Sequence, residues 1–426
     1  MTTRTSEMSF LQELALNKQL VIAKQDQETL ACVSKIFKAA NGILIRLGGK
    51  AGRLGESIVG TAFLEGILLA LDCLHINDVD ISIVVDENVV ELFDEELYQA
   101  RFSRQINVFQ APSDATNNIW KLPAYHPGQD NIMIMDFHGA NDGAPYLQVD
   151  QEMLTHSNEP SSRMRTVTTL SHLFRVAVRS YVHRGPYRRY ADFIEELLSL
   201  PEGSIDSYKV QPNLLLSAHD EARYPYLVET SGLNPEAMQI VCFFQSVVIA
   251  KCYPRWDEVI ALIHDYFARN FPTQKLDFLI ACGPDAQQPE GLKQSDVQDD
   301  YGNLLKGQTN ARILVHTIDS LRDLAVIVKH ATFVLSNDTG PAHISGALHI
   351  PTIVPYLPGN VYSKQVWASS LRHFGVTLDP DSFSFEETKA AVLWNKTHII
   401  GSISPARIAD EVMKACKLSH ASHERA

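Results

Sequence analysis

The sequence lacks the features that mark membrane-spanning, disulfide-stabilised and nucleic-acid-binding proteins. It has no stretch near the roughly 18 uninterrupted apolar residues of a membrane span. Its six cysteines are scattered over 426 residues, without a Cys-x-x-Cys pair or a metal-ligand spacing, as is typical of proteins in a reducing compartment. Lys and Arg number 37 against 50 Asp and Glu, and the resulting net charge of −13 argues against a nucleic-acid partner.

A secretory signal is also not expected, because no basic segment followed by an apolar one opens the sequence. The composition, 45% hydrophobic and 20% charged, is that of a soluble globular enzyme, and we expect a cytoplasmic location. Asp78-Val79-Asp80 stands just before a predicted strand and indicates a turn rather than a cation site, so we expect no metal.

Apolar runs alternate with amphipathic segments along the chain, which predicts an α/β protein with parallel, doubly wound sheets. Residues 166–198 are predicted to be mainly helical, 201–236 to be a polar connector and 284–310 to be a polar insertion. The predicted strands are 42–47, 80–85, 131–139, 240–244, 276–281, 311–316, 332–335 and 352–355, and the predicted helices of the second half are 256–269, 320–330 and 405–417.

This pattern predicts two domains of ordinary size after a short extension. Residues 1–41 form a helical extension that serves packing, docking or oligomerisation. Residues 42–225 form the first domain and 226–426 the second.

The most informative segment is Ser336–Pro351, which follows an apolar strand and opens a helix of small residues. In such a strand–turn–helix the N–H groups of Thr339 and Gly340 lie at the helix N-terminus, where unpaired donors and the helix dipole favour an anion. Pro341 fits the first helical turn, because its missing N–H is not needed there. The segment therefore predicts a phosphate site.

Asp338 and His343 add a carboxylate and an imidazole to this turn, giving the order Asp-Thr-Gly-Pro-x-His. The order resembles the signature of glycosyltransferase family 9, the ADP-heptose:lipopolysaccharide heptosyltransferases. That resemblance implies the GT-B fold, in which two Rossmann-like domains face a cleft, with the sugar nucleotide on the C-terminal domain and the acceptor on the N-terminal one. The alternative is an ordinary helix capped by Asp338, with His343 as a buried structural residue.

A glycine-rich loop, residues 48–55, follows the first predicted strand and resembles the first turn of the same family. Aligning Gly55 with the family glycine puts Glu56 where the family carries its proposed general base, an aspartate. A glutamate can take a proton from an acceptor hydroxyl in the same way. The alternative is a first-turn glutamate that only interacts with the helix dipole.

Lys251 follows an apolar strand in a segment similar to the family's Lys-x-Trp-Pro, although here the order is Cys-Tyr-Pro-Arg-Trp. The resemblance implies that Lys251 meets the diphosphate of the donor, with Ser246 as a further phosphate contact. It also makes Asp285 the candidate acid for the ribose hydroxyls. A lysine without any ligand is the alternative for Lys251.

Residues 163–189 contain seven arginines and no acid, in a chain that is acidic overall. The run is either a solvated surface or an anion-binding surface for an acidic acceptor or a membrane face. Because the family binds its acceptor on the N-terminal half, Arg163, Arg184 and Arg188, with Gly55, are the acceptor candidates.

The resemblance implies an inverting, metal-independent glycosyltransferase that moves a heptose from ADP-heptose onto an acceptor hydroxyl. The implied partners are the nucleotide sugar and a glycan, lipid-linked or other acceptor, with at most peripheral membrane contact. Two alternatives remain: the same fold with another nucleotide sugar and a different acceptor, and a nucleotide-sugar-binding relative without turnover.

Overall fold

In the computed structural model, the chain folds into two compact units, Met1–Pro212 and Asn213–Ala426. Each unit is built on one six-stranded sheet. The residues that the structure describes are 27–47, 54–111, 131–136, 147–154, 163–170, 188–246, 248–283, 293–357, 373–377, 383, 385–394 and 396–423.

The sheet of the N-terminal unit has the strand order β3-β2-β1-β4-β6-β5. Neighbouring strands are parallel, except that β5 runs antiparallel to β6. The strands are β1 Gly42–Arg46, β2 Asp80–Asp86, β3 Ile106–Ala111, β4 Asn131–Asp136, β5 Leu147–Leu154 and β6 Arg163–Leu170. The order reverses between β1 and β4, which is where ligands bind in open sheets of this type.

The helices of this unit include one from the predicted N-terminal extension. It contacts both β4 and the last helix of the unit, and the hydroxyl of Ser34 donates to the carbonyl of Leu198 at 2.6 Å. This helix therefore belongs to the packed unit. The described helices are α1 Gln27–Ala39, α2 Leu54–Cys73, α3 Glu95–Phe102 and α4 Arg188–Leu197, with a 3-10 turn at Val90–Leu92.

Helix α2 is long and apolar enough to cross a membrane by length and composition, yet 78% of its apolar window is buried inside the protein. Glycine residues of α2 allow neighbouring side chains to approach the helix closely. A Cβ on Gly60 would lie 3.1 Å from Leu47 Cδ2, and one on Gly66 would overlap Ile194 Cδ1 of α4. Such burial is that of a core helix.

The sheet of the C-terminal unit is parallel throughout, with the order β12-β11-β10-β7-β8-β9. Counted from β7, this is the Rossmann order 3-2-1-4-5-6. The strands are β7 Met238–Phe243, β8 Leu276–Cys282, β9 Ala311–Thr317, β10 Phe333–Ser336, β11 Thr352–Tyr356 and β12 His373–Thr377. All five strands predicted in this half are confirmed.

The core of this unit centres on the sheet and on aromatic residues of the helix after β7, among them the fully buried Trp256. The described helices are α5 Ala218–Glu221, α6 Tyr224–Ser231, α7 Trp256–Asn270, α8 Gln294–Tyr301, α9 Leu321–His330, α10 Gly340–Ala347, α11 Phe385–Leu393, α12 His398–Gly401 and α13 Pro405–His423, with a 3-10 turn at Ile249–Lys251.

The connector before β7 is folded onto the C-terminal unit by a buried ion pair. Asp220 of α5 accepts from both the Nε and Nη2 of Arg322 in α9, at 2.9 and 2.7 Å. Burial raises the pKa of Asp220, but hydrogen bonds from Arg322 and Ser217 outweigh it and hold that pKa well below its usual range. Residues 213–225, assigned to the first domain from sequence, thus lie within the second unit.

One sequence-based expectation is corrected, and another is refined. The predicted helical stretch 166–198 is wrong at its start, because β6 extends to Leu170 and is paired on both sides. Its sequence is rich in Thr, and β-branched residues suit a pleated sheet better than a helix. The predicted insertion 284–310 contains a helix, α8, whose first turn is stabilised by the hydrogen bond from Lys293 N to Asp296 Oδ2.

Replacement of Gly66 tests the close packing of α2 on α4. We expect Gly66→Ala to lower the free energy of unfolding by about 1–3 kcal/mol, because the added methyl overfills the contact with Ile194. Ile194→Val removes the overlapped Cδ1 atom, so the double variant should be more stable than the sum of the single effects. Strictly additive losses in urea denaturation would contradict this account.

Candidate functional site

The candidate site lies where β7 and β10 end side by side in the C-terminal sheet. The two strands pair in parallel, from Phe333 beside Ile240 to Ser336 beside Phe243. Strand order reverses between them, and ligands of doubly wound sheets bind beyond the carboxyl ends of the strands at such a point. The two loops that leave this edge carry most of the donor-site candidates.

Lys251 and Asp338, one from each loop, form an ion pair. The ammonium nitrogen of Lys251 lies 2.7 Å from Oδ2 of Asp338, and the side chains are 31% and 11% exposed. Lys251 ends the 3-10 turn after β7, which projects it toward the turn after β10. Lys251 and Asp338 are 87 positions apart in the sequence, and the structure brings their side chains together. The lysine side of the pair is open to solvent.

The turn after β10 places a helix N-terminus beside this ion pair. Thr339, not Asp338, is the N-cap residue of α10, with φ −139° and ψ 170°, and Pro341 stands in the first turn. The alternative in which Asp338 caps the helix is therefore wrong, because its carboxylate pairs with Lys251 instead. Within the described residues the Thr339 side chain makes no cap hydrogen bond to the helix, so it does not occupy the first-turn N–H groups near Gly340.

His343 is buried within the same helix, with 5% of its surface exposed. Burial lowers the pKa of its imidazole to about 4; Asp338 opposes this shift and Lys251 adds to it. The imidazole is therefore neutral at pH 7 and adds no positive charge to the site. Its electrostatic interaction with both members of the ion pair shows that the three groups are neighbours.

Ser246 is buried at the start of the loop that leads to Lys251. Its hydroxyl oxygen accepts the N–H of Val248 at 3.2 Å, and its carbonyl accepts from the Cys252 thiol at 3.7 Å. These contacts give Ser246 a local role in shaping the loop. Its proposed contact with phosphate stays a prediction.

Asn337, which sequence reasoning passed over, is fully buried between the two loops. Its amide makes hydrogen bonds to Phe244, Tyr253 and Trp256, all in the segment around Lys251. The sequence does contain a signal for Asn337, because a polar amide stands there between an apolar strand and the Asp-Thr-Gly turn. Its partners could not be read from the sequence, because they belong to a distant stretch of chain.

Glu56 lies in the first turn of α2, directly after Gly55, and both are partly exposed. The helix follows β1, whose carboxyl end is at the reversal of strand order in the N-terminal sheet. The predicted strand and helix are therefore in place before and after residues 48–53, which lie outside the described residues. Its role as a base stays a prediction.

The remaining candidates are only partly described. Arg163 is the first residue of β6 and Arg188 the first of α4, but their side chains lie outside the described part of the structure. Arg184 and Asp285 lie outside the described residues altogether. Among the residues that the structure does describe, no group of three or more His, Cys, Asp and Glu side chains could hold a metal ion.

Two Rossmann-like units and a cation beside a helix N-terminus define a two-domain protein of the nucleotide-binding α/β class. The family model of glycosyltransferase family 9 (heptosyltransferase) matches residues 168–392, more than half of the chain. The chain belongs to that family and is a glycosyltransferase.

Solved structures agree on the fold. A glycosyl transferase family 9 protein from Veillonella parvula is 17% identical, with a TM-score of 0.53 over 88% of this chain and 97% of that one. The ADP-heptose lps heptosyltransferase II of E. coli is 12% identical, with a TM-score of 0.50 over 89% and 99%. At these identities the likeness establishes the GT-B fold alone. Compared by sequence with curated proteins, the chain has no significant match.

The buried neutral His343 predicts a distinct pH dependence of stability. Its pKa is about 4 in the folded protein, against 6.5 for the ordinary group, so protonation favours the unfolded chain. The stability that depends on neutral His343 is complete above pH 6.5 and is lost as the pH falls toward 4. We expect the Tm to fall over this window, and His343→Gln to make the fall shallower.

The paired carboxylate of Asp220 does not interfere with this test, because its lowered pKa weakens the fold only as the pH falls below about 5, and it does so equally in both proteins. Equal slopes for wild type and His343→Gln between pH 6.5 and 4, by differential scanning calorimetry, would contradict the buried neutral imidazole.

Proposed function

We propose that this glycosyltransferase inverts the configuration of a glycosyl group that it moves from a nucleoside diphosphate, most simply ADP-heptose, to an acceptor hydroxyl. The observation that carries the proposal is the 2.7 Å pair of Lys251 and Asp338 beside the N-terminus of α10. An ammonium group with three N–H donors and the first-turn N–H groups of a helix are both suited to phosphate oxygens. The family, and the name of one structural neighbour, the ADP-heptose lps heptosyltransferase II of E. coli, favour heptose.

In the proposed donor site, Lys251 and the turn at Thr339 and Gly340 hold the diphosphate. As the bond from the anomeric carbon to the diphosphate oxygen breaks, negative charge grows on that oxygen. A fixed cation and oriented N–H donors stabilise such charge without reorganisation. Asp338 keeps the Lys251 ammonium at this position. The imidazole of His343 is neutral and therefore adds no charge to that of the ion pair.

On the acceptor side, Glu56 is the proposed base. It takes the proton of the acceptor hydroxyl while the hydroxyl oxygen bonds to the anomeric carbon from the face opposite the leaving diphosphate, which inverts the configuration. No metal is assigned to this reaction. The arginine-rich stretch 163–189 is the proposed binding surface for an acidic or lipid-linked acceptor. We place the enzyme in the cytoplasm, with at most peripheral contact with a membrane.

The donor is tested by measuring the shift in Tm with ADP, GDP, UDP, CDP and dTDP. A ligand of the native state raises the Tm according to its concentration relative to Kd. We expect ADP to stabilise the wild-type protein and to have little effect on Lys251→Ala, which loses the phosphate contact. A shift with another nucleotide alone would contradict the ADP-sugar donor.

Lys275→Ala is the matched control, because this lysine is exposed and stands before β8, at the opposite edge of the same sheet. Its ADP response should equal that of the wild type. If both lysine variants lost the response equally, the effect would be one of overall charge and not of the site.

The base is tested with Glu56→Gln, which keeps the size of the side chain but cannot accept the proton as a carboxylate. We expect turnover to fall by about 10²–10⁴, the usual contribution of general base catalysis, with an unchanged Kd for ADP. Glu96→Gln, in the first turn of α3, is a control for the helix-dipole effect alone and should keep turnover. Full activity of Glu56→Gln would rule out Glu56 as the base.

A further inference from the structure

The loop that carries Lys251 is held at both of its ends by one side chain from the neighbouring loop. Nδ2 of Asn337 donates to the carbonyl of Phe244, where the loop begins, at 2.7 Å. Oδ1 accepts the backbone N–H of Tyr253, where the loop ends, at 3.0 Å. The same oxygen accepts Nε1–H of Trp256, the first residue of α7, at 3.1 Å.

The backbone of Asn337 adds a fourth connection. Its N–H donates to the carbonyl of Phe243 at 2.9 Å, which continues the β7–β10 pairing one residue beyond Ser336. Backbone and side chain together fix Asn337 relative to the Lys251 loop. The next residue in the chain is Asp338, which pairs with Lys251 between the two clamped ends.

The chemistry of these contacts requires an amide. Asn offers both an acceptor and a donor at the end of one short side chain, whereas a carboxylate would only accept and an aliphatic residue would do neither. Asn337 is 0% exposed, and Phe244 and Trp256, which bond to its amide, stack on each other at 4.6 Å. Without the amide, the Phe244 carbonyl and the Tyr253 N–H would each lose this partner.

From this arrangement we propose that Asn337 is a positioning residue that sets the Lys251 ammonium against Asp338 for the donor diphosphate. The inference rests on the proposed function, since it acts through the contact of Lys251 with that diphosphate. Asn337 itself is buried and touches no substrate. Its effect is transmitted because the loop between Phe244 and Tyr253 has its two ends fixed to the residue that precedes Asp338.

A double-mutant cycle tests the proposal, with the Kd for ADP measured by isothermal titration calorimetry on the full chain. Lys251→Ala and Asn337→Ala should each weaken ADP binding, on the order of tenfold or more, as misplacement of a binding group does. Because Asn337 acts through Lys251, the double variant should bind ADP no more weakly than Lys251→Ala alone. Losses that multiply would overturn the proposal.

Gln239→Ala is the matched control for a buried amide. Gln239 lies on β7 near the end opposite the site, is 4% exposed, and accepts the Tyr224 hydroxyl at 2.7 Å. We expect it to lower the Tm but to leave the Kd for ADP unchanged. An equal loss of ADP affinity in Gln239→Ala and Asn337→Ala would show general destabilisation and would overturn the positioning role.

Trp256→Phe provides a milder second variant if Asn337→Ala does not fold. It removes only the Nε1–H donor and keeps an aromatic ring against Phe244. We expect a smaller loss of ADP affinity that again disappears in the Lys251→Ala background. An unchanged Kd for ADP in a folded Trp256→Phe variant, or a loss that multiplies with the loss of Lys251→Ala, would reject the inference.

These measurements distinguish a failure of the proposed donor site from a failure of the positioning role of Asn337. If Lys251→Ala leaves the Kd for ADP unchanged, the proposed donor site is wrong, and the role of Asn337 falls with it. If Lys251→Ala weakens ADP binding but Asn337→Ala, folded, does not, the proposed function stands and only the positioning role is overturned.

Discussion

The parallel pairing of β7 with β10 is the constraint on which the candidate site depends. The two strands are neighbours although β8 and β9 lie between them in the chain, so strand order reverses at their junction. Two loops therefore leave the sheet side by side, at the carboxyl ends of β7 and β10, and those loops carry Lys251 and Asp338. Asn337 extends the pairing past the strand ends, so that the geometry of the sheet continues into the loops.

Two of the ion pairs in the C-terminal unit have different roles. Asp220 and Arg322 are buried, hydrogen-bonded in two places, and hold the connector to α9. Lys251 is 31% exposed, and an ion pair so close to water contributes little to stability, about 0–1 kcal/mol. The fold thus has no strong need for the Lys251–Asp338 pair, which agrees with the role in donor binding that we propose for it.

Five strands of the C-terminal half, β7 to β11, could be predicted because each contains an apolar run in a parallel sheet. The same reasoning failed for β6, because Arg163–Leu170 has only three apolar residues, Met164, Val167 and Leu170, and no apolar run. It also passed over β3, β5 and β12, which lie toward the ends of their sheets. Strands with fewer buried neighbours have a weaker apolar signal.

The sequence by itself determined the strand–turn–helix at 333–347 and the family, and it provided the candidate residues for a phosphate site, because all of these depend on residues close together in the chain. Only the tertiary structure decided that Lys251 meets Asp338, that Asn337 clamps the Lys251 loop, and that His343 is neutral. The partners of Asn337 are 81 to 93 positions away, and the pKa of His343 depends on its burial. Such contacts exist only once β7 and β10 have paired.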